Sequence, residues 1–262
     1  MSELYDKYKT WLTIDVEEIT DTNFDLKWKR QVSLDYDRLI QNWIELSDKL
    51  NIKATCFVLG SFAQKYPQLI KKLSDNGHEV ASHGNNHNLV YNVTINEWEK
   101  SIVESKNILE DLISKPVVGY RSASWSLPFE KKYYETLAKS GYLYSSSYFP
   151  LKTYMYGNSI NKKQAFNIIT KHGTIKEIPI LKSMIPFSGG LYLRVLPVFI
   201  EKYLFNNCIK RKTKPVLYIH PYELMDESLM KFFSKYAKIN IDFLLAFYSS
   251  SNPLKKIEKI LK

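Results

Sequence analysis

Cysteine is nearly absent: the 262-residue chain carries two, Cys56 inside an apolar run and Cys208 far downstream. That excludes a disulfide framework and a cysteine-based zinc site, and it makes a reducing compartment the simpler expectation. No run approaches the roughly 18 apolar residues of a membrane-spanning helix. The opening MSELYDKYKTW sets charged residues where a signal peptide needs an apolar core, so a cytoplasmic protein is expected. Internal repeats and low-complexity tracts are also missing, and a hydrophobic content of 45% rules out a disordered polymer. Negative charge is the scarcer sign, with 27 acidic side chains against 37 Lys plus Arg and a formal net charge of +10. Residues 201–262 hold 12 basic and 6 acidic side chains, so +6 of the excess lies at the C-terminal end. Such a surface attracts nucleic acid, anionic lipid headgroups or a phosphorylated substrate. Nucleic acid is set aside, because the charge comes with no binding motif.

What is present is alternation. Apolar runs at 11–16, 53–58 and 79–82 are followed by helical patterns at 36–50, 61–76 and 95–114. Further strand-like runs fall at 117–120, 142–145, 175–180 and 216–220, with a helix-like stretch at 227–248. Repeated strand-helix units predict an α/β fold around a parallel sheet, and seven or so units point to a (β/α) barrel. The polar segment 150–174 breaks the rhythm and reads as an inserted loop or hairpin. Residues 1–262 are expected to form a single domain, with 253–262 as a loosely packed basic tail.

Four local patterns could carry chemistry. In Ser82-His83-Gly84-Asn85-Asn86-His87, two histidines four apart could converge on one ion if the segment turns as a helix. A reactive metal site needs a third ligand, and the run Thr13 to Glu18 supplies carboxylates. Strand alternation puts Asp15 and Glu17 on one side and Glu18 on the other, so one acid could ligate while its neighbour accepts a proton. Arg121, in Gly119-Tyr120-Arg121-Ser122, could keep Asp15 ionised. Finally, the strand at 216–219 ends in His220, where barrel strands deliver catalytic groups, and an imidazole there could protonate a departing amine. Each pattern also has a plain structural explanation: capping histidines, a solvated acidic turn, a surface ion pair. His78 and His172 sit in turn-like surroundings and read as structural.

In order and spacing these elements resemble the polysaccharide deacetylases, the carbohydrate esterase family that shares the NodB homology domain. The likeness runs through residues 13–18, 54–60, 77–83 with His87, 121–128 and 217–220. It implies a distorted barrel of about seven strands, a divalent ion, usually zinc, and hydrolysis of an N-acetyl group from an amino sugar. Carried over, Glu17, His83 and His87 are the metal ligands, Asp15 the general base, Arg121 its support and His220 the general acid, while Trp125 lines the sugar pocket. The first motif, Asp-Val-Glu, is closest to a branch with enzymes of bacterial cell-wall and exopolysaccharide pathways. Two departures stand out. Ser145 occupies a place where many relatives carry an aspartate, which leaves His220 without an identified partner. The ligand Glu17 is one methylene longer than the commoner aspartate.

Three alternatives stay open at this point. Two histidines and a carboxylate also make the facial triad of non-haem iron oxygenases, although those favour a jelly-roll pattern. A lipid-linked sugar could be the substrate, with the aromatic and basic run 199–214 against an anionic membrane. A glycan-binding protein that has lost turnover is the third. The stretch 184–197, with Gly189-Gly190, resembles a loop of the same branch and is expected at most to touch substrate.

Overall fold

Trp11–Val16 (β1) is buried at every position, as expected of a parallel strand covered on both faces. A computed structural model describes the chain over residues 2–23, 33–150, 157, 162, 164–180, 187–225 and 252–262. In it β1 pairs in parallel with Thr55–Val58 (β2) and with Val216–Ile219 (β8). The sheet continues through Glu79–Ser82 (β3), Gly119–Tyr120 (β4) and Tyr144–Ser145 (β5) to an antiparallel hairpin of Phe166–Thr170 (β6) and Gly173–Glu177 (β7). Among the described residues the order is β6-β7-β5-β4-β3-β2-β1-β8, an eight-stranded curled sheet that forms a half-barrel. The α/β expectation therefore holds. One strand more than the seven or so expected comes from the hairpin, whose first strand falls inside the segment 150–174.

Helices cover the outer face. Tyr36–Leu50 (α2) starts where the Asp35 carboxylate accepts from the Arg38 amide and ends at Asn51 in the left-handed region, φ 50°. Its apolar stripe, Leu39, Ile40, Trp43 and Ile44, packs into the main core. The helix expected over 61–76 is two, Gly60–Lys65 (α3) and Pro67–Asp75 (α4), because Pro67 has no amide to continue the ladder and suits a first helical turn. Ile95–Ile113 (α5) opens with the Thr94–Glu97 capping box read from the sequence.

Shorter helices are Glu3–Lys7 (α1), Lys131–Lys139 (α6) and Leu191–Val195 (α7), and Val198–Lys210 (α8) follows the last of these. The expected loose tail is instead a helix, Pro253–Leu261 (α9), with Ile257 and Lys256 buried. The Lys256 ammonium donates to the carbonyls of Leu193, Arg194 and Leu196 at 2.7, 3.0 and 2.7 Å, satisfying the open end of α7. The helical pattern read at 227–248 lies outside the described residues. No described helix is long and apolar enough to cross a membrane.

Inside the curl a second cluster gathers Trp11, Phe57, Ala81, Trp125, Tyr144 and Val216. All but Trp125 stand on strands, and because alternate strand positions share a face, Thr13 and Asp15 lie on the inner face with Trp11. The same alternation carries the series Ala81, His83 and the series Val216, Tyr218, His220 inward toward the carboxyl ends of their strands. The sheet thus aims one set of side chains at one end of its concave face.

Candidate metal centre and active site

Glu17 follows the last residue of β1, and His83 follows the last residue of β3. His87 does not arrive there on a helix. Residues 83–87 form a loop in which Gly84 (φ 81°) and His87 (φ 49°) both take left-handed backbone, and that reversal folds the second imidazole back over the first. The expectation of a helical turn is corrected, while the convergence it was meant to produce is present. One ligand atom each from Glu17, His83 and His87 lies within 4.8 Å of the others, and all three residues are buried.

The electrostatics of this cluster favour a cation. His83 Nδ1 donates to the Arg121 carbonyl at 2.8 Å. A carbonyl can only accept, so the proton is fixed on Nδ1 and the Nε2 lone pair faces Glu17 Oε2 at 3.6 Å. His87 Nε2 is 2.8 Å from the same oxygen. Both rings therefore crowd one buried carboxylate oxygen. Burial alone would raise the Glu17 carboxyl, but His87, His83 and His220 outweigh it and hold the group well below the usual carboxylate range. Two imidazoles and a buried carboxylate gathered this closely are a donor set of the kind that takes a divalent ion once the rings are neutral, and the triad could bind one.

On one side of the triad stands Asp15, 2% exposed. Arg121 Nη1 donates to Asp15 Oδ1 at 2.5 Å and to Thr13 Oγ1 at 2.9 Å, while Nε and Nη2 reach the carbonyl and hydroxyl of Ser146 at 3.2 and 3.0 Å. The guanidinium also lies 4.1 Å from the Phe57 ring centroid. A surface ion pair is thereby excluded. Glu18 points away from the cluster, as alternation requires, and accepts from Lys65 at 2.8 Å and Tyr66 at 2.9 Å.

On the other side, His220 Nε2 is 3.9 Å from Glu17 Oε1. Its other nitrogen, Nδ1, faces Glu223 Oε2 at 3.3 Å, and that same oxygen accepts from the His220 backbone amide at 2.8 Å. Arg194 Nε sits 3.4 Å from the second oxygen of Glu223. Burial lowers the His220 imidazole, and the hydrogen bond and charge of Glu223, with Glu17 and Asp15, raise it above its usual value overall.

Glu223 is the partner missing from the sequence reading. Ser145 does not face the histidine; its hydroxyl donates to Ser147. The signal lay in His220-Pro221-Tyr222-Glu223, a cap residue, a proline at the first helical position and a glutamate at the third.

Trp125, 9% exposed, packs edge-on against Tyr218 at 4.7 Å and lies 6.0 Å from the Arg121 guanidinium. It forms part of the wall beside Tyr218 and the Asp15–Arg121 pair. His78 and His172 lie elsewhere: the first is buried and accepts from the Ala54 amide at 3.1 Å, and the second is exposed in the β6–β7 turn. Gly189-Gly190 has a structural use. Gly189 bridges to Tyr218 on the free edge of β8, at φ 141°, where a Cβ would lie 1.7 Å from the Tyr218 carbonyl oxygen.

Fold and cluster together define the class: an α/β half-barrel with a buried His-His-Glu set at the carboxyl ends of its strands. Residues 23–144 match the polysaccharide deacetylase family, and residues 146–256 match a domain of unknown function, DUF3473. A peptidoglycan deacetylase of Helicobacter pylori is 30% identical over 108 residues, 41% of this chain and 36% of that protein. A peptidoglycan-N-acetylglucosamine deacetylase of Bacillus cereus is 34% identical over 71 residues, 26% of each. The matches thus span about a third or less of those relatives.

Among solved structures, proteins with provisional polysaccharide deacetylase assignments superpose with TM-scores of 0.62 (Mycobacterium smegmatis) and 0.60 (Pseudomonas aeruginosa). The first is 16% identical and covers 97% of this chain and 91% of its own; the second is 15% identical and covers 97% and 84%. At such identities the likeness concerns the fold, which is shared with PuuE allantoinase at a TM-score of 0.59 and 13% identity, covering 95% of this chain and 91% of that one. A mostly parallel half-barrel is not the jelly roll that the iron-oxygenase alternative favours.

Proposed function

We propose that the chain is a metal-dependent hydrolase that removes an N-acetyl group from an amino sugar of a bacterial cell-surface glycan or its precursor. The observation that carries the reading is the meeting, in one buried patch, of the His-His-Glu set with a buried Asp15–Arg121 pair on one side and His220–Glu223 on the other. The curated relatives, both named as peptidoglycan deacetylases, support the substrate class. The reading takes residues 1–262 as one domain, since β1 and β8, from opposite ends of the chain, pair within a single sheet.

Glu17, His83 and His87 would hold a divalent ion, and zinc is the usual occupant of such a nitrogen and oxygen set. Bound there, it would supply Lewis-acid polarisation of the acyl carbonyl and a more acidic water. The remaining roles belong to the chain. Asp15 takes the proton of the attacking water, and Arg121 holds that carboxylate in its orientation. His220, its Nδ1 turned to Glu223, presents Nε2 on the ligand side and protonates the departing nitrogen. As the water oxygen bonds to the acetyl carbon the carbon-nitrogen bond breaks, leaving acetate and a free amine. Trp125 shields one wall from solvent.

The test is acetate release across polymeric, oligomeric, lipid-linked and nucleotide-linked N-acetylhexosamines. The zinc-loaded protein releases acetate from at least one class, and folded Asp15→Asn does so about 100-fold or more slowly. Undiminished turnover in Asp15→Asn would sink the mechanism, and oxygen uptake without acetate would point to another chemistry.

A further inference from the structure

We infer that the outward face of α8 is a docking surface for an anionic lipid bilayer. Most surface helices bury one apolar stripe and turn charge to water. Here the inner side, Glu201, Leu204 and Phe205, is buried, yet the outer side carries two large rings one turn apart: Phe199 is 73% exposed and Tyr203 68%. Val195, just before the helix, and Ile209, near its end, are each 39% exposed and lengthen the apolar surface. At 100° per residue, Phe199, Lys202, Tyr203, Asn206 and Lys210 fall within one sector of the helix; all are exposed except Lys202, which is half-buried.

The charge of this surface has one sign. Lys202, Lys210, Arg211 and Lys212 supply its cations, while Arg194 is buried against Glu223 and Lys214 turns to the Tyr5 carbonyl; the single acid of residues 191–214 is Glu201. Glu201 is fully buried on the side of α8 opposite Phe199, where Lys256 of α9 is its nearest charge. The outer face therefore offers aromatic rings and cations to any partner, with no carboxylate between them.

That combination fits a headgroup layer better than a protein groove. A phenyl ring enters the acyl boundary, a phenol rests at headgroup depth, and lysine stems snorkel so that their ammonium groups reach lipid phosphates. The 13-residue helix is about 20 Å long, enough to lie flat in the interface. Arg194, which faces Glu223, is next to Val195 at one end of this surface, so docking would bring the His220 side of the site to the membrane.

Sedimentation of the full chain with vesicles tests this without reference to turnover, so its outcome is separate from that of the deacetylase reading. The protein is expected to sediment with phosphatidylcholine vesicles doped with phosphatidylglycerol at low salt, to dissociate at high salt, and to ignore pure phosphatidylcholine. The double variants Phe199→Ser/Tyr203→Ser and Lys202→Glu/Lys210→Glu should each lose about tenfold or more in vesicle affinity while keeping the wild-type thermal midpoint. Phe199→Trp gives an independent reading: its added emission should shift to the blue and be quenched by brominated lipid. Failure of the wild type to bind phosphatidylglycerol vesicles, or wild-type affinity in both double variants, would overturn the inference. So would a solution dimer that Phe199→Ser/Tyr203→Ser converts to monomer, because the face would then belong to a second copy of the chain.

Discussion

Replacing Arg121 with methionine keeps most of the side-chain volume and removes a fully buried guanidinium that donates to Asp15, Thr13 and the carbonyl and hydroxyl of Ser146. It leaves Asp15, 2% exposed, without its counter-charge. At an effective dielectric of about 20, opposite charges 2.5 Å apart attract by about 7 kcal/mol, from 332/(20 × 2.5). Desolvation of the two ions takes back much of that in the wild type, but in the variant the cost of burying Asp15 remains with no attraction to offset it. The expected loss is about 3–5 kcal/mol, a large fraction of the roughly 5–15 kcal/mol that holds a domain together. Adding Asp15→Asn removes the stranded charge, so Asp15→Asn/Arg121→Met should recover a large part of the loss. Urea denaturation at neutral pH, with the m-value checked for constancy, measures each step. A loss under about 1 kcal/mol for Arg121→Met, the range of an exposed pair, would refute the reasoning, as would a double variant no more stable than the single.

Three further outcomes are expected. Glu17→Gln should weaken zinc binding by about 100-fold or more in competition with a chromophoric chelator, and a chain that still retains its ion would remove Glu17 from the ligand set. Glu223→Gln keeps the shape but not the charge facing His220, so kcat should fall about tenfold with KM little changed; an unaltered kcat would make Glu223 a cap and nothing more. Burial holds the His78 imidazole down at about 4, whereas an unfolded histidine titrates near 6.5, so between these values the unfolded chain binds the extra proton. Stability should therefore fall by up to about 3 kcal/mol as pH drops through that window, and equal urea midpoints' slopes against pH for wild type and His78→Asn would contradict it.

The strand runs were readable because parallel strands buried on both faces are continuously apolar, and β1 is the clearest case. Alternation likewise separates Glu17 from Glu18 in the sequence itself, since the period of 2 is a local property of extended chain. Three features were not readable for equally physical reasons. The loop 83–87 depends on left-handed backbone at His87, a non-glycine conformation that sequence spacing does not announce. The break at Tyr66 was masked by an apolar pattern that runs across Pro67. Glu223 was read past because its chemistry is a cap in sequence and a charge partner only once β8 delivers His220 beside β1.

How the site is divided along the chain also explains how single motifs could stay ambiguous while their company did not. Asp15 and Glu17 precede the segment that matches the deacetylase family, His83, His87 and Arg121 lie within it, and Arg194, His220 and Glu223 lie in the segment that matches DUF3473. Neither matched segment alone holds Glu17 with both histidines, the Asp15–Arg121 pair and the His220–Glu223 pair. The piece that joins them is β1, which pairs with β2 on one edge and β8 on the other. Because Ile14 is in register with both Cys56 and Ile219, the groups just beyond, Asp15 to Glu17 and His220, emerge at the same level of the sheet. A slip of one residue in either pairing would turn Asp15 and Glu17 away from His220, so the register of β1 is as much a part of the site as the side chains it carries.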